Sequence, residues 1–287
     1  MGSRPQQNGQ GDHPDQRGAD RIKRTAGQLS VGLVGAAALW WIGSRRLASL
    51  RVCLSSKKLR QDLRVCLISD LHSSRYGRHQ SRLMSRIKQA RPDLIVMPGD
   101  IYDDERSDNR ATDELLAQLP PVAPTFYSSG NHEMRFSGYE QLPDRVKQHG
   151  VCWIDGQTRQ LKIKGQTIVL SGISDPERSY QRTRRQFDRL PKVGDYHILL
   201  SHRPHLIEAY EDSGADLIVS GHAHGGQWQL FGRGLIAPGQ GLFPEYSKGS
   251  YRLGETTLVV SPGLMKNHLP RFFNRPTVVF IDIKGEA

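Results

Sequence analysis

The sequence predicts a layered α/β fold, and three observations support that prediction. The chain has 287 residues, which is enough to bury the core of one large domain. After residue 63, short apolar runs alternate with amphipathic stretches, as strands and helices do in layered α/β proteins. Five of these runs end in polar residues that can bind a metal ion, which is typical of a site at the edge of a sheet.

Five short apolar runs are predicted as buried strands. Most are rich in Val, Ile or Leu, and Ser, Gly or Pro residues bound them. Further strands are expected at 258–260 and 277–283, and a hairpin is expected to turn at Gly165 between 161–163 and 167–170. The five runs occupy residues 65–68, 94–97, 124–127, 197–200 and 217–219.

Four amphipathic stretches between these strands are predicted as helices. Their apolar residues recur at helical spacing, so each can cover a sheet with one face. The stretches are 81–90, 112–119, 138–149 and 204–211.

The first 62 residues are predicted to lie outside the catalytic domain. Residues 1–24 are too polar to bury a core and are predicted as a disordered tail. Residues 25–44 carry no charge and include Trp40 and Trp41; a helix of this length spans a bilayer core of about 30 Å. They are predicted as a membrane anchor, with an amphipathic surface helix or a signal peptide as alternatives. Residues 45–62 are predicted as a basic linker, and 63–287 as the catalytic domain.

The net charge of +11 does not indicate a nucleic-acid-binding protein. Residues 1–64 hold 12 Lys and Arg against 4 Asp and Glu, whereas residues 65–287 hold 28 against 25. The excess therefore lies beside the apolar segment, where it suits an anionic membrane. We expect a membrane partner and no specific nucleic acid, and the flanking charges favour a cytoplasmic catalytic domain.

The three cysteines do not predict a disulfide framework or a thiolate zinc site. Cys53, Cys66 and Cys152 are far apart and form no CxxC motif. Any metal ion should therefore be bound by His, Asp and Asn side chains.

Candidate metal ligands follow the five predicted strands. The carboxyl ends of strands share one edge of an α/β sheet, so we expect these side chains to converge. Imidazole with carboxylate suits Mn, Fe, Zn or Co, and seven ligands exceed the needs of one ion. We expect two divalent ions, with Asp100 available to bridge them. The candidates are Asp70, His72, Asp100, Asn131, His202, His222 and His224.

The ordered motifs resemble those of calcineurin-like metallophosphoesterases. They are Asp70-x-His72, Gly99-Asp100, the run Gly-Asn-His-Glu at 130–133, His202, and His222-x-His224, and the resemblance covers roughly 63–283. It implies a four-layer α/β/β/α sandwich, with two mixed sheets between helices, and a dinuclear metal centre.

The resemblance also implies a role for each site residue. One ion would be held by Asp70, His72 and His224, the other by Asn131, His202 and His222, with Asp100 as the bridge. His132 would act as the general acid on the leaving oxygen. Glu133 stands where many members have Asp, and its carboxylate would orient His132.

Within the family, the anchor and the segments 221–227 and 270–276 resemble a membrane-associated phosphodiesterase branch. The resemblance implies cleavage of a phosphodiester or pyrophosphate, with a nucleotide-linked lipid such as UDP-2,3-diacylglucosamine of lipid A biosynthesis as substrate. The alternatives are a broad-specificity phosphodiesterase or phosphatase acting on soluble substrates, and a non-catalytic scaffold. The complete set of ligands argues against the scaffold.

Two further features bear on the substrate. The arginine-rich segment 178–189 is either a cap that contacts phosphate or a solvated helix face. Trp228, Phe231 and Phe243 either line an acyl groove or pack against the second sheet.

Overall fold

The computed structural model describes residue 35, residues 45–266 and residues 271–286. Strands dominate this part of the chain, and most are four or more residues long. In chain order they are β1 (Ala48–Ser56), β2 (Leu63–Leu67), β3 (Leu94–Pro98), β4 (Thr125–Ser128), β5 (Cys152–Trp153), β6 (Gln157–Ile163), β7 (Gln166–Gly172), β8 (Tyr196–Leu200), β9 (Leu217–Ser220), β10 (Gln229–Leu230), β11 (Arg233–Gly234), β12 (Ile236–Ala237), β13 (Gly241–Leu242), β14 (Gly249–Leu253), β15 (Thr256–Val260) and β16 (Thr277–Gly285).

Short α-helices connect many of the strands. The predicted helix at 81–90 has the bounds expected, and the other three are shorter than expected. The helix at 138–149 begins as a 3-10 turn before Pro143, which then occupies the first turn of the α-helix. The helices are α1 (Ser81–Ala90), α2 (Arg110–Leu116), α3 (Asn131–Arg135), α4 (Leu142–Gln148), α5 (Tyr180–Phe187) and α6 (Ile207–Glu211).

The strands form two six-stranded mixed sheets. The first has the order β1-β16-β2-β3-β4-β5, and the second β14-β15-β9-β8-β7-β6. In the first sheet β2 to β5 run parallel, and β16 is antiparallel to β2 but parallel to β1. In the second, β7, β8, β9 and β15 run parallel between two antiparallel edge strands. Two small hairpins, β10–β11 and β12–β13, stand apart from the sheets.

Three apolar clusters define four layers. Val65 and Leu67 of β2 face the cluster between the sheets, whereas Cys66 faces the cluster beneath α1, α2 and α4. A third cluster packs the outer face of the second sheet against α6. Burial on both faces explains why the central strands read as continuous apolar runs, and it confirms the predicted α/β fold with mixed sheets.

The predicted linker at 45–62 is wrong in one respect, because it contains a strand. β1 pairs in parallel with β16, with Val52 opposite Ile281, and forms an edge of the first sheet. Leu50, Val52 and Leu54 face the cluster between the sheets, while Arg51 and Cys53 are exposed. Arg51 and the serines of β1 hide this alternation in the sequence. Because β1 belongs to the first sheet, the folded unit begins earlier than residue 63.

The predicted tail at 1–24 and the predicted anchor at 25–44 lie outside the described residues, except for Gly35. Among the residues that are described, no helix has both the length and the apolar character needed to cross a membrane.

Candidate metal centre

The predicted ligands converge where the strands of both sheets end. Asp70 and His72 follow β2, Asp100 follows β3 and Asn131 follows β4, so three neighbouring strands of the first sheet supply four ligands. The other three follow β8 and β9 of the second sheet. Three groups have potential ligand atoms within 4.8 Å of one another. Two consist of predicted ligands: Asp70 with His72 and His224, the first group, and Asp100 with His202 and His222, the second. The third, His72 with Asp103 and His132, contains only one predicted ligand.

Asp100 lies between the two groups. Its Oδ2 is 3.1 Å from Nε2 of His202 and 3.7 Å from Nε2 of His72. Its Oδ1 accepts the backbone N–H of His132 at 2.9 Å, which fixes the carboxylate. Burial raises the pKa of Asp100, but the imidazoles of His202, His72 and His132 outweigh it and hold the pKa well below its usual range. Asp100 is therefore placed as an anion shared by both groups.

Asn131 completes the second group. Its Oδ1 lies 3.2 Å from Nε2 of His202, and that nitrogen is 3.1 Å from Nδ1 of His222. With the amide reversed, its NH2 would donate to Nε2 of His202 at 3.2 Å and Nδ1 of His222 at 2.8 Å. Three groups that can each present a lone pair thus meet at one point. A cation at that point would hold the amide oxygen inward.

Several buried polar atoms of the site have no hydrogen-bond partner. Within the described residues these include Oδ2 of Asp70, both ring nitrogens of His72, Nε2 of His222 and Nδ1 of His224. Buried polar groups are nearly always satisfied, so orphans clustered in one place need an explanation. Divalent ions would supply it, and the imidazole, carboxylate and amide donors suit Mn, Fe or Zn. The residues fit a metal centre.

The backbone at the ligands is strained. Five of the seven have φ between 45° and 64°, in the left-handed region: Asp70, His72, Asp100, His222 and His224. Such conformations cost of order 1 kcal/mol or more each for non-glycine residues and are concentrated at functional sites. Gly99, with φ +84°, permits the turn before Asp100, since a Cβ there would lie 2.5 Å from the backbone of Gly130.

His132 stands beside the first group without being one of its members. Its ring contacts that of His72 edge-on, with centroids 4.3 Å apart, and its side chain is 16% exposed. Nδ1 faces the carboxylates of Asp103, at 3.6 Å, and Asp104. Burial lowers the pKa of His132, but Asp103, Asp100 and Asp104 raise it to about 9. These carboxylates favour the protonated form of the ring.

The model of the calcineurin-like phosphoesterase family matches residues 63–226. The chain belongs to this family. A Bacillus subtilis protein named uncharacterized metallophosphoesterase YkuE is 30% identical over 233 residues, which cover 77% of this chain and 79% of that protein. A Danio rerio protein named transmembrane protein with metallophosphoesterase domain is 29% identical over 238 residues, 77% of this chain and 53% of that protein.

The chain spans about half the length of the Danio rerio relative and 61% of a Campylobacter jejuni metallophosphoesterase that is 27% identical to it. Among solved structures, TT1561 of Thermus thermophilus superposes with a TM-score of 0.50 at 13% identity, covering 70% of this chain and 89% of that one. This likeness shows the fold alone.

The sequence predicts that Glu133 orients His132, but in this phosphoesterase its carboxylate has other partners. Its carboxylate accepts the backbone N–H groups of Gly130, Ile101 and Tyr102 at 2.8 to 2.9 Å, and the hydroxyl of Tyr127. Glu133 lies on the same short helix as His132, but its side chain is buried and links the loops after β3 and β4 through these hydrogen bonds.

Asp103 and Asp104 are the acidic partners of His132 that the sequence analysis missed. Oδ2 of Asp103 also lies 3.7 Å from Nδ1 of His72, so one carboxylate contacts both rings. Arg135 Nε donates to Oδ2 of Asp104 at 3.1 Å. In the sequence these residues are simply two Asp residues shortly after Asp100. They do not directly follow a predicted strand, so they look like part of an ordinary polar loop.

Arg271 is a further residue that the sequence analysis passed over. Its side chain is buried and Nη1 donates to the carbonyl of Pro262 at 2.8 Å, while Nε and Nη2 have no partner among the described residues. Burial lowers the pKa of Arg271, whereas Tyr76 and Asp70 raise it. Burial dominates and the net shift is downward, while the carboxylate of Asp70 favours the charged guanidinium.

The arginine-rich segment at 178–189 is partly structural. Arg178 donates to the carbonyl of Met134 and lies over the ring of Tyr139, with its guanidinium carbon 4.5 Å from the centroid. The other four arginines are exposed, on α5 or just beyond its end. Of the apolar residues after His224, Phe231 and Phe243 are exposed, so the alternative that they pack against the second sheet is wrong.

Proposed function

We propose that this protein hydrolyses a phosphodiester or pyrophosphate bond with two divalent ions. The observation that carries the proposal is the position of Asp100, whose Oδ2 lies within 3.7 Å of imidazole nitrogens from both ligand groups. One carboxylate shared by two groups is what a two-metal site for phosphoryl transfer requires.

The residues divide between two ions. Asp70, His72 and His224 would hold one, and Asn131, His202 and His222 the other, with Asp100 between them. When bound, Mn, Fe or Zn ions would supply Lewis-acid activation of water and of the phosphoryl oxygens. Asn131 is a neutral ligand, so the loaded centre would stay positive and attract a phosphate monoanion.

His132 would protonate the leaving oxygen. Its pKa is raised by the neighbouring carboxylates, its side chain is partly exposed, and it lies beside the first ligand group. Asp103 and Asp104 lie beside Nδ1, so the proton for the leaving oxygen would come from Nε2. A positioned general acid contributes about 10² to 10⁴-fold to the rate.

We further propose a lipid-linked substrate, with UDP-2,3-diacylglucosamine as the specific candidate, and a membrane location with the catalytic domain on the cytoplasmic face. The uncharged segment 25–44 and the basic residues that flank it support this proposal. So do the exposed apolar side chains that follow the metal ligand His224 in the sequence.

Hydrolysis of UDP-2,3-diacylglucosamine by the full-length protein in detergent with Mn²⁺ tests both parts. We expect turnover by the wild type and a loss of about 10² or more in kcat for His132→Ala, with the bound metal unchanged. Cleavage of a soluble chromogenic diester without turnover of the lipid would overturn the substrate and retain the chemistry. Loss of metal in His132→Ala would show that His132 is a ligand and contradict the assignment.

A further inference from the structure

Exposed apolar side chains stand on two tight hairpins and one segment near the metal centre. Phe231 is at the tip of β10–β11, Leu242 and Phe243 end β12–β13, and Phe273 lies before β16; we call these four residues the apolar rim. Their exposed fractions are 97%, 72%, 71% and 77%. Large apolar groups that cluster in exposed positions mark interaction sites.

Backbone hydrogen bonds join the parts that carry the rim. The N–H of Phe243 donates to the carbonyl of Leu235 at 2.9 Å, and the N–H of Leu235 donates to the carbonyl of Trp228 at 2.9 Å. The N–H of Gln229 donates to the carbonyl of Phe272 at 3.0 Å. The two hairpins and the segment before β16 therefore form one substructure.

The rim substructure is attached to a metal ligand. Nδ2 of Asn274, next to Phe273, donates to the carbonyls of His224 at 2.6 Å and of Gln227 at 3.2 Å. A Cβ on Gly225 would collide with Oδ1 of Asn274, so the two loops are in close contact. Whatever binds the rim comes close to the loop of the first metal group.

The three rim phenylalanines have an unfavourable backbone. Phe231, Phe243 and Phe273 have φ of 49°, 53° and 50°, a region that bulky residues rarely adopt. Their exposure shows that packing among the described residues does not compensate for this strain. Contacts with a partner outside the folded unit would compensate for it.

Charge and chain connection identify that partner as a membrane. Nε of Arg275 donates to the carbonyl of Arg46 at 3.1 Å, so the chain enters the folded unit beside the segment that carries Phe273. The uncharged stretch 25–44 directly precedes that point. Residues 45–46, 228–250 and 271–275 contain six Lys and Arg, of which Arg271 is buried, and one acidic residue, Glu245. Apolar groups among basic residues suit an anionic bilayer surface.

We propose that the apolar rim is a docking surface for the anionic lipid bilayer and inserts its phenyl groups among the acyl chains. This proposal rests on the membrane part of the proposed function. Docking would hold the His224 loop at headgroup level, where the phosphate of a lipid-linked substrate lies. The rim would thus select substrates by depth as well as by chemistry.

A fluorophore at the rim tests the proposal in the full-length protein. In a Cys53→Ser, Cys152→Ser background, position 231 is changed to Cys, labelled, and reconstituted into vesicles of phosphatidylcholine and phosphatidylglycerol that carry nitroxide on their acyl chains. A label at position 180 is the control, because Tyr180 is 61% exposed on α5, outside the rim. We expect quenching by the nitroxide at 231 and none at 180.

Two outcomes would overturn docking. A label at 231 that water-soluble quenchers reach equally with and without vesicles would show that the rim stays in solvent. A label shielded from those quenchers before vesicles are added would assign the rim to the chain's own segment 25–44.

A kinetic experiment separates docking from chemistry. Phe231→Ser with Phe243→Ser should keep activity on a soluble chromogenic diester and lose about tenfold or more on substrate embedded in vesicles, and Tyr180→Ser should lose neither. If the double variant kept wild-type activity on both the soluble diester and the vesicle-embedded substrate, that result would contradict docking. Absence of diester cleavage by the wild type would instead contradict the proposed chemistry.

Discussion

The carboxylate of Glu133 accepts the backbone N–H of Asp100 at 2.8 Å. It also accepts the N–H groups of Ile101, Tyr102 and Gly130, together with the hydroxyl of Tyr127. Asp100 follows β3 and Gly130 precedes Asn131 after β4, so one buried side chain sets the distance between the loops that carry these two proposed ligands.

Glu133→Gln is expected to lower both stability and metal content. The amide keeps one accepting oxygen and turns an NH2 group toward N–H donors, so at least two buried donors lose their partner, at about 1 to 3 kcal/mol each. Urea unfolding and elemental analysis of the bound metal measure the two effects. Tyr127→Phe is the matched control, because it removes one donor and leaves the carboxylate; it should retain the metal. Wild-type stability of the Gln variant would contradict this role.

Asp100→Asn is expected to abolish activity and empty both metal positions. The substitution keeps the shape of the side chain and removes the negative charge that two divalent ions would share. Metal stoichiometry after gel filtration gives the answer, and Asp103→Asn serves as the comparison, since Asp103 contacts His72 and His132 but lies outside both proposed ligand sets. Two tightly bound ions in the Asp100→Asn variant would rule out the bridging position.

Stability should fall as the pH drops from about 6.5 to about 4, and His197 should cause part of that fall. His197 is fully buried on β8, its Nε2 is 2.9 Å from Oγ of Ser171, and burial lowers its pKa to about 4 despite the opposing charge of Asp216. The unfolded chain binds a proton below about 6.5 and the folded chain does not, so protons favour unfolding in that window. The contribution is of order 3 kcal/mol once the pH reaches 4.

The free energy of unfolding of His197→Gln, followed from pH 7 to pH 4, measures this contribution. The variant should show a smaller loss with falling pH than the wild type, whatever its stability at neutral pH. Parallel curves for the two proteins would show that His197 titrates normally.

Truncation is expected to distinguish the anchor from the fold at β1. Removing residues 1–44 should leave a folded domain that cleaves a soluble diester, because all of β1 remains. Removing residues 1–56 deletes β1, uncovers β16 along its length and exposes Ile281 and other apolar side chains between the sheets. The shorter chain should aggregate or unfold at lower temperature, as circular dichroism would show. Equal thermal stability of the two would mean that β1 contributes little.

Burial on two faces explains which elements could be predicted. Ile95 and Val96 of β3 lie in different apolar clusters, so that strand is apolar at every position and its end, where Asp100 stands, is plain in the sequence. β1 is buried on one face only, and its Arg51 and Ser residues made it look like a linker.

Contacts between distant loops explain what could not be predicted. Asp103 meets His132 because the loop after β3 folds back toward α3, and Glu133 faces inward because α3 begins one residue after Gly130. Neither relationship has a spacing in the sequence that would reveal it. Phe231 was ambiguous for a different reason: apolar character alone does not distinguish a buried core residue from an exposed surface residue.

The position of β16 gives this protein an order of assembly during synthesis. Residues Thr277–Gly285 come after the other described strands in the sequence, yet they lie between β1 and β2 and pair with both. Until β16 has been synthesised, β1 cannot join its sheet and the adjoining edge of β2 is open. An unpaired strand edge invites association with other chains. The nascent chain is therefore most vulnerable after β9 has emerged and before β16 has, when most of the proposed metal ligands are present and the first sheet still lacks its second strand.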